Sequence, residues 1–171
     1  MQLKPFLLTG PECVKVGMNC LAPTEDTTYF LSGKLPLNAT QVYAVVGALN
    51  TSTDNATYVG LGLNSSLKKL AFDNISDEEL AGSASDYSDV PNHDKLFIRY
   101  FARDCSGLEP WTGDNNQCVS IRDVLPWCMD PSDLQCDMLV LSLRGYVRPH
   151  TQRGTDPVLA LNPRFIPLRR P

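Results

Sequence analysis

The sequence predicts an all-β domain: an antiparallel β-sandwich or barrel with one short helix, disulfide-rich loops and an extended C-terminal arm. Three observations point there. Short apolar or alternating runs rich in Val, Tyr, Phe and Thr recur along the chain, each bounded by Gly, Pro, Asn, Asp or Ser. Six cysteines form an even set without metal-like spacing. Outside one short segment, no helical period is sustained.

Taken in order, strands are expected at 27–35, 41–49, 56–63 and 69–72, and then at 95–103, 118–121, 138–148 and 158–161. Between Val46 and Ala56 the run Gly-Ala-Leu-Asn-Thr-Ser-Thr-Asp-Asn bonds readily to its own backbone, which predicts a loop between antiparallel strands. In Ser76-Asp-Glu-Glu-Leu, Ser76 can cap a helical turn with Glu79, three residues on, as its capping-box partner. The stretch 106–136, with Glu109-Pro-Trp-Thr-Gly and Leu125-Pro-Trp-Cys, reads as a loop excursion. From Arg148 onward Pro149, Pro157, Pro163, Pro167 and Pro171 recur, so 149–171 is expected to be an extended arm beside a single domain at 1–148, with 158–161 as its edge strand.

At 171 residues the chain can bury roughly two-thirds of its unfolded surface in one core. Hydrophobic residues at 43% and charged residues at 20% match ordinary globular domains. The net charge of −4 hides an asymmetry: residues 1–143 carry 9 Lys/Arg against 18 Asp/Glu, whereas 144–171 carry 6 Arg against Asp156 alone. An acidic body repels phosphate backbones, so nucleic acid is not an expected partner. No window reaches the roughly 18 apolar residues that span a bilayer. The first ten residues lack the apolar stretch of a signal peptide, so a secreted reading expects a leader already removed or a piece of a larger ectodomain.

An extracellular or cell-surface location is expected on two grounds. Asn-X-Ser/Thr sequons occur at Asn38, Asn50, Asn55, Asn64 and Asn74, where chance placement of 10 Asn and 23 Ser/Thr would give about one. All five are candidate glycosylation sites. Cys13, Cys20, Cys105, Cys118, Cys128 and Cys136 fit disulfides, and sequential pairing, Cys13–Cys20, Cys105–Cys118 and Cys128–Cys136, would close three short loops. The alternative ties Cys13 or Cys20 to the C-terminal group.

No catalytic set, metal site or cofactor is expected. The two histidines, His93 and His150, lie in turn-like contexts, and no Gly-X-Ser-X-Gly elbow occurs. Asp104, Glu109, Asp114 and Asp123 are the acids from which a carboxylate hydrolase could be drawn. The acidic stretch 73–94 and the run Asp114-Asn-Asn match no EF-hand and read as solvated loops. In Leu96-Phe-Ile-Arg-Tyr-Phe-Ala-Arg-Asp, Phe97, Arg99, Phe101 and Arg103 share one parity. Arg99, Phe101 and Arg103 are therefore the candidate ligand-binding residues, able to stack on sugar or grip an anion. On the plainer reading Leu96, Ile98, Tyr100 and Ala102 face the core and the arginines shield the aromatics. The Arg- and Pro-rich tail suits docking on a partner, a second copy, or this chain's own acidic body.

Tyr58-Val-Gly-Leu-Gly-Leu-Asn resembles, over about seven residues, the strand motif of extracellular DOMON-type β-sandwiches, which implies a carrier of haem or sugar. The methionine and histidine ligands of haem-binding members have no counterpart in this chain, and it is not assigned to that family. The function expected is a non-enzymatic recognition or assembly module for a carbohydrate or protein partner, with self-association through the arm as one form. The alternatives are an extracellular carrier of a lipid or pigment, and an extracellular hydrolase with paired carboxylates.

Overall fold

The computed structural model describes residues 4–5, 26–66, 71–112, 117–121, 138–156 and 158–170. Among these residues nine strands lie in two sheets. They are β1 (Lys4–Pro5), β2 (Thr27–Leu31), β3 (Gln41–Ala48), β4 (Val59–Ser65), β5 (Ala71–Ser76), β6 (Leu96–Ala102), β7 (Cys118–Ser120), β8 (Leu139–Tyr146) and β9 (Arg164–Arg169). One sheet has the order β1-β2-β8-β4-β5 and the other β7-β6-β3-β9. Two single-turn α-helices accompany them among the described residues, α1 (Asp77–Leu80) and α2 (Glu109–Thr112).

The alternation in β8 organises the first sheet. Leu139, Leu141 and Leu143 are buried, while Val140, Ser142, Arg144 and Tyr146 between them are half-buried on the other face. This is the period-2 pattern of a strand with one dry face. Leu143 sits opposite Phe30 of β2 and Leu61 of β4, and Leu141 opposite Leu63. In the second sheet β3 lies between β6 and β9, with Val45 opposite both Arg99 and Phe165. A single apolar cluster joins Phe30, Leu61 and Leu143 of one sheet to Val45, Phe97, Phe101 and Phe165 of the other. Each such fully buried side chain contributes about 1.5–3 kcal/mol.

β3 and β6 are covered on both faces. Their other parity, with Val42, Ala44, Ile98, Tyr100 and Ala102, packs against Ala84 and Leu108 from the connections that follow α1 and β6. That double burial is why Gln41–Ala48 and Leu96–Ala102 read as nearly continuous apolar runs. Tyr100 of this face is buried. Its hydroxyl lies 2.9 Å from that of Tyr87, and burial holds the phenol well above the usual tyrosine range.

Several expectations meet their elements closely, and others need correction. The capping box is formed: Ser76 N–H donates to the Glu79 carboxylate at 2.9 Å, and Glu79 N–H donates to Ser76 Oγ. Those bonds to Ser76 hold the Glu79 carboxyl below its ordinary range. The sheets are not purely antiparallel, because β6 and β7 pair in parallel. A parallel pair needs a crossover of about a dozen residues or more. The 103–117 connection supplies it and is closed by the disulfide Cys105–Cys118, the middle pair of the sequential assignment, with Cα atoms 5.9 Å apart. Cys13, Cys20, Cys128 and Cys136 lie outside the described residues.

The strand expected at 158–161 is instead a turn. Asp156 accepts the Val158 N–H on its carboxylate at 2.9 Å and the Leu159 and Ala160 N–H groups on its carbonyl, which curls the chain. The strand of the C-terminal segment is β9, which adds to β3 from Arg164 to Arg169 and buries Phe165. Pro167, which has no N–H to give, is tolerated because β9 is an edge. Arg170 then donates to the carbonyls of Ser106 and Asp104, so the tail docks on this chain's own body.

Replacing both Cys105 and Cys118 with Ser is expected to cost about 2–3 kcal/mol of stability, the usual effect of opening a loop of this size. Equilibrium denaturation in urea checks it. An unchanged midpoint would mean that the bridge does not constrain β7.

Candidate functional site

The outer face of the five-stranded sheet collects side chains that no dry interior requires. Because β8 alternates, Arg144 and Tyr146 point away from the leucines, and cross-strand register brings Tyr29 directly opposite Arg144. Tyr58 precedes β4 and reaches the same place, since its carbonyl accepts the Tyr146 N–H at 2.9 Å. The Arg144 guanidinium lies 4.1 Å from the Tyr146 ring centroid and 5.4 Å from that of Tyr29. Tyr58 meets Tyr146 edge to face at 5.4 Å. Two aromatic rings thus flank one cation, an arrangement in which ring quadrupole and charge attract, and a third ring packs against one of them.

Asn74 of β5 completes the group from the other side, its Nδ2 donating to Tyr58 Oη at 3.2 Å. Gly60 lies between the two. A Cβ there would meet Tyr58 Oη and Asn74 Oδ1 at 3.1 Å, so a bare backbone lets them come together over the strand. Thr57, Tyr58, Asn74, Arg144, Tyr146 and Val147 line an open depression of about 410 Å³.

The electrostatics follow from this packing. Burial raises the Tyr29 phenol above its ordinary value, and the Arg144 cation beside it acts in the opposite direction. Arg144 Nε is buried without a hydrogen-bond partner among the described residues. The arrangement offers aromatic faces and a cation to a ligand.

The candidate residues of β6 are placed differently from the outward face considered for them. Phe101 is fully buried in the inter-sheet cluster beside Phe97. Arg103 is buried and donates from Nε to the Leu37 carbonyl at 2.7 Å. Arg99 donates to the Glu79 carbonyl, with burial lowering its pKa and the Glu79 carboxylate opposing that. The three are brought near one another as a strand must, but the aromatic ring presents no exposed face. The physical reason is the covering of β6 on both sides, which one strand's parity does not reveal.

The sequon residues scatter. Asn38 and Asn74 are exposed, Asn64 is half-buried, and Asn50 and Asn55 are buried. Among the candidate acids, Asp104 accepts from the N–H and hydroxyl of Ser106, and Glu109 accepts from Gly107 N–H. Asp114 and Asp123 lie outside the described residues. Among the described residues no group of three or more His, Cys, Asp or Glu is gathered as a metal site, and no helix is long and apolar enough to cross a membrane.

No family model, curated protein or solved structure matches the chain. The reading of the site therefore stands on its geometry. Sequence reasoning missed Tyr29, Tyr58, Arg144 and Tyr146 as a group. The alternation of Arg144 and Tyr146 with leucines is visible in the chain, but their meeting with Tyr29 depends on pairing across more than a hundred residues.

Replacing Arg144 with Gln removes the charge that favours the Tyr29 phenolate, so Tyr29 is expected to ionise at higher pH in the variant than in the parent. Titration of carbon-labelled tyrosine by NMR reads this directly. A shift to lower pH, or none, would contradict the cation's place over the ring.

Proposed function

We propose that this chain is an extracellular, N-glycosylated β-sandwich that acts as a non-enzymatic recognition module and binds carbohydrate through the face built by Tyr29, Tyr58, Arg144 and Tyr146. The observation that carries the reading is the packing of Arg144 against two tyrosine rings, with a third ring and the Asn74 amide beside them. Sugar rings have apolar C–H faces that stack on aromatic rings, and hydroxyls or carboxylates that take hydrogen bonds from a guanidinium group. A shallow, open depression suits one or two sugar units at the end of a chain. The cation favours an acidic saccharide over a neutral one.

Two further features support the setting. The Cys105–Cys118 bridge belongs to an oxidising compartment. The interior between the sheets is filled by Phe30, Phe97, Phe101, Phe165 and leucines, which weighs against a lipid or pigment carrier. An assembly role has its own support in Val158, Leu159 and Leu161, which stand 88%, 62% and 66% exposed on the turn before β9.

The test is calorimetric titration with acidic and neutral oligosaccharides. Binding of an acidic saccharide, weakened at least tenfold by Arg144→Ala and by Tyr146→Ala in folded protein, supports the proposal. Tenfold corresponds to about 1.4 kcal/mol. Absence of saccharide binding at millimolar concentration, or binding indifferent to both substitutions, overturns it. Self-association abolished by Leu159→Asp in protein that binds no sugar would put assembly in its place.

A further inference from the structure

We infer that, of the five sequons, Asn38 and Asn74 carry N-glycans in the folded protein while Asn50, Asn55 and Asn64 remain bare; this rests on the extracellular reading proposed above. An N-linked sugar replaces one of the two hydrogens on Nδ2. An occupied Asn therefore keeps a single N–H donor and needs open space beside its nitrogen. The five residues differ sharply in both respects.

Asn50 and Asn55 are 2% and 4% exposed. The Asn55 amide forms a reciprocal pair with the backbone of Asp156: Nδ2 donates to its carbonyl and Oδ1 accepts its N–H, each at 3.2 Å. That pair fastens the loop after β3 to the chain leading into β9. Asn50 sits beneath the same loop, its carbonyl taking the Asn55 N–H at 2.9 Å and the Ala56 N–H at 3.1 Å. A sugar on either nitrogen has no path to solvent without opening this end of the domain. Asn64 donates from Nδ2 to the Val140 carbonyl at 3.2 Å and to Ser142 Oγ at 3.1 Å. Both hydrogens of its amide are committed across the β4–β8 pairing, and a sugar would displace one of these bonds.

The remaining two have room. Asn38 is exposed, and the bonds it makes are through its oxygen, which accepts from Thr40 N–H at 3.1 Å and Thr40 Oγ1 at 3.0 Å. Asn74 is exposed and donates one hydrogen to Tyr58 Oη, so the other can be exchanged for a sugar with that bond retained. Its glycan would start at the rim of the tyrosine depression. The transferase acts on the unfolded chain and can reach every sequon, so the selection is made by folding. Chains modified at Asn50 or Asn55 cannot close around those residues.

The full chain is secreted from a eukaryotic host and treated with the glycosidase that converts each glycan-bearing Asn to Asp, and peptide mapping by mass spectrometry locates the conversions. Conversion at Asn38 and Asn74, with Asn50, Asn55 and Asn64 unchanged, is the expected result. Any other set of converted sites in folded protein overturns the inference and leaves the extracellular reading intact. No conversion anywhere in a chain that passed through the secretory route overturns both. Asn74→Gln should remove one glycan from the intact mass, whereas Asn55→Gln should leave the mass of glycan unchanged and lower the thermal midpoint. A loss of glycan mass in Asn55→Gln would also overturn the assignment.

Discussion

The register of β8 between β2 and β4 is the constraint on which the other features rest. Side chains alternate along a strand, so a slip of one residue against either neighbour would turn Leu139, Leu141 and Leu143 to water and carry Arg144 into the interior. Burying an unpaired guanidinium costs several kcal/mol, and exposing three leucines forfeits a comparable amount. Both penalties fall on the same slip. The dry face thereby specifies the wet one, and the Tyr29, Arg144 and Tyr146 group is the outward consequence of the inward leucines.

The second sheet works under a different rule. β3 and β6 are buried on both faces, so their sequences run apolar without alternation and their polar groups must be satisfied at the ends. Arg99 and Arg103 show how. Each extends past the core to a backbone carbonyl, that of Glu79 or Leu37. These arginines tie loops to the sheet, which is a structural task for residues whose chemistry suggests binding. Arg144, by contrast, is packed against rings on the outer face of the other sheet.

How much of this could be read from the chain depends on the range of the interaction concerned. The capping box at Ser76 and Glu79 is a four-residue signal and was fully legible, as was the strand character of Gln41–Ala48 and Leu139–Tyr146. The Cys105–Cys118 pair followed from proximity in sequence. The parallel pairing of β6 with β7, the curl at Asp156 that delays the last strand to Arg164, and the covering of Phe101 all depend on tertiary neighbours. The site was the least legible part. Its four main residues come from three separate stretches, and only the alternation around Arg144 and Tyr146 hinted at an outward face.

The range of their contacts also separates the asparagines. All five satisfy one three-residue pattern, yet Asn55 is taken up by a partner 101 residues away and Asn64 by one 78 residues away, while Asn38 bonds only within its own turn. Pattern alone treats them as equal, and the fold does not.

Hydroxyl-radical footprinting resolved to single residues tests the register most directly, because it reads side-chain exposure along β8 and its neighbours in unmodified protein. Tyr29, Tyr58 and Tyr146 should be oxidised readily, with Phe30, Leu61, Leu141 and Leu143 protected until the protein unfolds. Protected tyrosines beside oxidised leucines would contradict the pairing of β8 and, with it, the surface assigned to recognition.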